Sequence, residues 1–370
     1  MVVQIPHSPS TISYPKTPSK HDPQISTKML ATTIDSYLAE ITKHFESALS
    51  SDSLYLLSQR LQSEFHEKLQ ESDISMLPSY HHSLPTGFER GTFLALDMGG
   101  SNFRLALIEL RGKEDRKEKM HVRRSKTFPI DDTVRALQGP AFFEWVAERI
   151  EEMLDMDEHQ SDGKGYPLSM GLAWSFPIEQ TSTRSGHLLQ MGKGFAATHG
   201  VQGRDIGELI MTPCTKRGLN VQLQAIVNDS LATLLAEAYR EPSTRMSLIL
   251  GTGTNSAIFL PVTALSSTKY GTRSEDWNNV AKHVVVNTEL SMHGKYIWPA
   301  TRWDRYLNET HTIPDFQPFE YLVGGRYLGE IMRLVLVEAI DEGLLFDGET
   351  PHRLREPYAM DAGILAAFER

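Results

Sequence analysis

Residues 93–110 read FLALDMGGSNFRLALIEL, two short apolar runs (93–96 and 105–108) parted by the helix-breaking Gly99 and Gly100. That pattern predicts a strand, a turn and a second strand. It returns at residues 247–260 as SLILGTGTNSAIFL, again apolar on both sides of a Gly/Thr/Asn turn. Ahead of the first unit the spacing is helical from 33 to 69, with Leu38, Ile41 and Phe45 and then Leu56, Leu57, Leu61 and Phe65 on the expected inner face. Between the two units the chain predicts a helix over 142–154 and an apolar strand over 168–176. A strand over 221–227 then runs into a helix from Ser230.

A repeated strand–turn–strand unit implies two related halves facing one cleft. Length agrees, since 370 residues exceed one ordinary core and suggest two lobes. Hydrophobic residues at 40% and charged residues at 23% describe a globular chain. The formal charge of −10 argues against a nucleic-acid or anionic-membrane partner, both of which need a basic footprint. The single cysteine, Cys214, excludes an internal disulfide and fits a reducing compartment, the cytoplasm. Charged residues interrupt every apolar run before it could span a bilayer. Residues 1–30 are rich in Ser, Thr and Pro and predict a disordered leader.

Gly-rich turns present converging backbone N–H groups to anions. Gly99, Gly100, Ser101 and Asn102 form one such turn, and Gly251, Thr252, Gly253 and Thr254 the other. Either alone could be an ordinary hairpin; the pair suggests a nucleotide held from both sides. Asp97 beside an anion site is unfavourable unless a cation intervenes, and Mg²⁺ on nucleotide phosphates, bridged by water, resolves the conflict. Arg104 adds compensating charge, or serves as a surface ion-pair partner. The tetrapeptide VNDS (227–230) puts Asn228 and Asp229 between a strand and a helix, where open α/β sheets bind ligands. Asp229 either accepts a proton from a substrate hydroxyl or caps the helix.

In order, the motifs DMGGSNFR, SFPIEQ, GKGF, VNDSLATLLAEAY, ILGTGTNSA, NTEL and FEYLVGGRYLGE resemble those of the eukaryotic-type hexokinases. The resemblance runs over most of the chain after the leader. It implies an α/β, two-lobed actin-like (ribonuclease-H-like) ATPase fold, with a cleft between a small and a large lobe. On that division, 31–90 and 225–370 make the large lobe and 91–224 the small one. The implied cofactors are ATP and Mg²⁺, the latter with no direct protein ligand, and the implied substrate is a hexose, glucose before others. By resemblance, Asp97, Gly99, Gly100, Ser101, Asn102 and Arg104 match the first phosphate motif, and Gly251, Thr252, Gly253 and Thr254 the second. Asp229 matches the base that deprotonates the sugar 6-hydroxyl. Ser175, Asn228, Asn255, Glu289 and Glu320 match groups holding the sugar, and Lys193 the lysine near sugar and phosphates.

The pattern departs in three places. Gly192 before Lys193 lacks the hydroxyl of the family's Thr, a loss on the order of 1 kcal/mol. Leu290, Ser291 and His293 replace the usual Trp, Gly and Phe after Glu289. After DAGILAAFER the resemblance leads one to expect a further segment with the adenosine motif and a lobe-coupling helix. Its lack would mean a shortened enzyme that transfers phosphate poorly, a partner protein covering the open face, or a truncated gene model. Two functions therefore stand as expectations: glucose phosphorylation feeding glycolysis, and a catalytically weak or inactive hexokinase-like sugar-binding regulator.

Overall fold

The computed structural model describes residues 33–114, 118–155, 165–191 and 194–368, and in it the first helical stretch is two helices, α1 (Ile34–Glu46) and α2 (Ser51–Glu71). The break has a local cause. Ser50 leaves helical geometry and its side chain accepts from the Ser53 N–H, starting a new helix. On α1 Tyr37 is buried and Ile41 partly so, and Phe45, though 42% exposed, stacks on Trp303, while Leu38 is 52% exposed. The i, i+4, i+8 row wins because the Tyr37 ring is buried and its hydroxyl reaches the Val335 carbonyl at 2.9 Å. The leader expected over 1–30 lies outside the described residues. After α2 comes the short strand β1 (Leu77–Pro78).

The first sheet is built from 90–227. Strands β2 (Arg90–Met98) and β3 (Asn102–Arg111) form the hairpin, followed by β4 (Met120–Pro129), the turn-length α3 (Asp132–Arg135) and α4 (Gly139–Asp155). Then come β5 (Leu168–Trp174), the small β6 (Ile178–Gln180) and β7 (Gly186–Leu188) ribbon, α5 (Ile206–Lys216) and β8 (Val221–Val227). The order is β4-β3-β2-β5-β8, with β2, β5 and β8 mutually parallel. Inward residues alternate along the strands (Leu94, Leu96, Met98; Phe103, Leu105, Leu107), and α4 covers them with Phe142, Phe143, Val146 and Ile150.

The second half begins with α6 (Asp229–Arg240) and a hairpin of β9 (Met246–Leu250) and β10 (Thr254–Pro261). There follow α7 (Glu275–Val280), β11 (His283–Asn287), α8 (Arg302–Thr310), α9 (Pro318–Val323), α10 (Gly325–Asp341), α11 (His352–Arg355) and α12 (Ala362–Phe368). Its sheet runs β1-β11-β10-β9 and is antiparallel. Helix α6 packs Leu231 and Leu234 onto Ala257 and Val285 of this sheet while continuing directly from β8 of the other. Helix α1 closes over α8 and α10 through Tyr37, Trp303, Tyr327, Ile331 and Val335. No helix among the described residues is long and apolar enough to cross a membrane.

Cys214 sits on the inner face of α5, fully buried, and burial pushes its thiol up to about 11. At neutral pH it is therefore a protonated, inaccessible thiol. Alkylation should proceed only at the rate of global unfolding. Fast labelling in native buffer would show instead that α5 opens locally.

Candidate functional site

Parallel pairing brings the chemistry-bearing strand ends to one sheet edge. Asp97 is in register with Ala173, and Ala173 with Val227. One or two residues on, the chain reaches the β2–β3 turn, Ser175 and the pair Asn228, Asp229. Ser175 donates its N–H to the Met98 carbonyl at 3.2 Å, which ties its loop to the end of β2. Arg104, opposite Asp97 across the hairpin, reaches its Oδ2 at 2.9 Å. The ion pair is half-exposed, so it contributes little stability, on the order of 1 kcal/mol or less.

Asn228, not Asp229, caps α6: its Oδ1 accepts the Leu231 N–H at 2.8 Å. The capping alternative for Asp229 thus gives way to a neighbour, although Asp229 Oδ1 does accept the Ser230 N–H at 2.7 Å. The buried Ser230 hydroxyl then reads Asn228 Oδ1 at 3.1 Å and Asn287 Oδ1 at 3.4 Å. From Asn287 the network spreads. Its Oδ1 accepts from Asn255 Nδ2 at 3.0 Å, and its Nδ2 donates to Glu289 Oε1 at 2.6 Å. Asn228, Asn255 and Glu289 therefore join through Ser230 and Asn287, two residues that spacing alone did not single out. Asn287 had one signal, its place at a strand end two residues before Glu289.

The second turn is braced differently. Gly251 N–H bonds the Gly253 carbonyl at 2.9 Å, much as Gly99 N–H bonds Asn102 in the first turn at 3.1 Å. Glu320 comes from α9 and accepts the Thr254 N–H at 2.9 Å through Oε2. The N-terminus of α10 lies against the same turn, with Gly325 N–H to the Gly251 carbonyl at 2.7 Å and Arg326 N–H to the Thr252 carbonyl at 3.1 Å. A Cβ on Gly325 would sit 3.0 Å from that Gly251 oxygen, so the VGG step was a readable sign of close backbone approach. Thr254 is buried with its hydroxyl given to the Ile249 carbonyl, whereas Thr252 is exposed. Behind Glu320, burial pushes the Tyr327 hydroxyl up to about 12, and the Glu320 charge adds to the rise. Lys193 and Gly192 lie outside the described residues.

The arrangement gathers carboxylates and carboxamides from β8–α6, β10, β11 and α9, a set suited to neighbouring hydroxyls, beside two turns suited to anions. Family models described as hexokinase match residues 37–239 and 245–370. Hexokinase-2 of Candida albicans is 31% identical over 345 residues, covering 91% of this chain and 69% of that protein. Hexokinase of Schistosoma mansoni is 32% identical, covering 84% of this chain and 65% of its own length. The chain thus spans about two thirds of these relatives. The solved structure of the Schistosoma mansoni hexokinase complexed with glucose superposes with a TM-score of 0.72 at 29% identity, covering 91% of this chain and 74% of that one. The architecture is accordingly the two-lobed, actin-like one.

A Cβ at Gly253 would lie 2.5 Å from Glu320 Oε2, whereas one at Gly251 meets open space. Gly253→Ala should displace Glu320 from Thr254 and cost about 1–3 kcal/mol in urea denaturation. Gly251→Ala serves as the control and should stay within about 1 kcal/mol of the parent. Equal effects would mean that Glu320 is not held by this turn.

Proposed function

This chain belongs to the hexokinase family, and from that premise we propose that it transfers the terminal phosphoryl group of Mg-ATP to the 6-hydroxyl of a hexose, glucose first among them. The observation that carries the reading is the hydrogen-bonded chain Asn228–Ser230–Asn287, with Asn255 and Glu289 attached. It links five polar side chains from the β8–α6 junction, β10, β11 and the turn after it, a costly arrangement to keep half-buried without a polyhydroxyl ligand to complete it.

In this reading Asn228, Asn255, Glu289 and Glu320 hold the sugar hydroxyls, with Ser175 and Lys193 as further contacts. Asp229 takes the proton from the 6-hydroxyl as that oxygen attacks the terminal phosphorus. The bond to the bridging oxygen breaks and ADP departs with its electron pair. Backbone N–H groups of Gly99, Gly100, Ser101 and Asn102 and of Gly251, Thr252, Gly253 and Thr254 serve the phosphates. Asp97 already attracts one cation, Arg104, and its carboxylate fits a second delivered with the nucleotide through water. Mg²⁺, when bound, supplies neutralisation of phosphate charge. Closure of the lobes would exclude water, which otherwise competes as acceptor. Such chemistry fits a cytoplasmic enzyme at the head of glycolysis.

The test is glucose phosphorylation by the purified chain with Mg-ATP, coupled to a dehydrogenase. Asp229→Ala should lower kcat about 10²–10⁴-fold. Turnover equal in parent and variant would overturn the role of Asp229. If the parent gives only background turnover while glucose alone raises its melting temperature, the chain is a sugar-binding protein, not a kinase.

A further inference from the structure

His293 is one of the three residues after Glu289 that depart from the family pattern, and its side chain is 1% exposed. Its Nε2 lies 3.0 Å from the Thr288 carbonyl oxygen. Its Nδ1 lies 3.2 Å from Oε1 of Glu64 on α2. A carbonyl oxygen accepts and never donates, and an ionised carboxylate does the same. The ring thus lies between two oxygen acceptors, a geometry that suits hydrogen on both nitrogens and a carboxylate partner for a buried charge. The rest of the enclosure is specific. Glu64 also accepts the Gly294 N–H, at 3.2 Å and 3.0 Å to its two oxygens. Phe65 meets the ring edge-on at 5.0 Å, and Trp298 Nε1 donates to the His293 carbonyl at 2.9 Å.

The Thr288 carbonyl belongs to the peptide that leads into Glu289. Glu289 itself adopts φ of 50°, left-handed geometry that costs a non-glycine residue on the order of 1 kcal/mol. Since φ is rotation about the bond following that peptide, fixing the peptide plane sets the direction in which Glu289 leaves. The plane is fixed at both ends. Its carbonyl accepts from His293 Nε2 and from the Met76 N–H at 3.1 Å, and its N–H approaches Asn287 Oδ1 at 3.4 Å.

We propose that Glu64 and His293 form a positioning clamp, in which a doubly protonated imidazole anchored to α2 holds the Thr288–Glu289 peptide and aims the Glu289 carboxylate at the sugar. The clamp rests on the reading of Glu289 as a sugar ligand. His293 touches no substrate; it is a positioning residue, and it makes α2 part of the sugar site.

The experiment uses the full chain with Glu64→Gln, His293→Gln and both together. Each single variant should raise KM for glucose about tenfold, the worth of a charge-assisted hydrogen bond, with kcat and KM for Mg-ATP unchanged. The double variant should be no worse than the worse single one, because both act through one contact. Imidazole ¹⁵N spectra should show two protonated nitrogens for His293 in the parent and a neutral ring in Glu64→Gln. Unchanged glucose KM, additive losses or a neutral ring in the parent would each overturn the clamp. Glu64→Gln retains an acceptor for Gly294 and decides the case should His293→Gln not fold. A parent that neither phosphorylates nor binds glucose would sink the sugar reading, and the ring signature with its loss in Glu64→Gln would still decide the clamp.

Discussion

The packing of α6 is the contact on which the site depends. Leu231 and Leu234 are buried against Ala257 and Val285, so the helix that β8 feeds is fixed to the second sheet. Ser247 reinforces the attachment by giving its hydroxyl to the Ser230 carbonyl at 2.7 Å. Without that docking, Asn228 would end β8 of one sheet with no fixed relation to Asn255 and Asn287 of the other. The apolar contact is non-directional and supplies the stabilisation; Ser230 and Asn287 supply the direction. The candidate site is joined to the fold where Asn228 caps α6.

The strand–turn–strand units and their repetition were legible because period-2 apolar runs and paired glycines act locally. The predicted strand at 221–227 coincides with β8, and the helix at 142–154 is the interior of α4. Less legible was the face of α1: Leu38 and Tyr37 are adjacent, and the distant partners of Tyr37, the Val335 carbonyl and the α8–α10 cluster, decide which turns inward. The break at Ser50 carried a cap signal that the continuous helical period concealed. Within the candidate site, Asn228 was already marked by its place between a strand and a helix, while Asn255, Glu289 and Glu320 came from family order. Ser230 and Asn287 did not, because their role is to connect side chains distant in the chain, the two being themselves 57 residues apart.

Glu289 illustrates how strain is sustained. Its left-handed backbone is held by a surrounding set of bonds: the Thr288 hydroxyl to the Ser256 carbonyl at 2.8 Å, the Thr288 N–H to the same oxygen at 3.0 Å, and the Asn287 amide on the Glu289 carboxylate. Each is worth about 1 kcal/mol, enough together to offset the cost of one unfavourable φ. The Leu290 and Ser291 substitutions fall inside the single 3-10 turn that follows, where Ser291 is buried and accepts from Gln317 Nε2 at 3.4 Å. The altered residues are thus built into the packing around the turn.

The two phosphate-type turns look alike in sequence yet differ in what holds them. The first is supported within its own half, by Arg135 Nη2 on the Gly100 carbonyl at 3.1 Å and the Ile130 N–H on the Ser101 carbonyl at 2.9 Å. The second leans on α10, whose first residue bonds Gly251. That helix is in turn fixed along its length. Tyr37 reaches it at Val335, and the buried Glu330–Arg333 pair fastens it to the Tyr358 N–H and the Leu354 carbonyl. Gly329 permits the approach, since a Cβ there would come within 2.2 Å of the Met360 oxygen. A disturbance of α1 or of the 350–361 segment therefore has a continuous packed route to the second turn through α10, whereas the first turn has local support. Of the two halves, the second is the one whose Gly/Thr turn depends on distant packing.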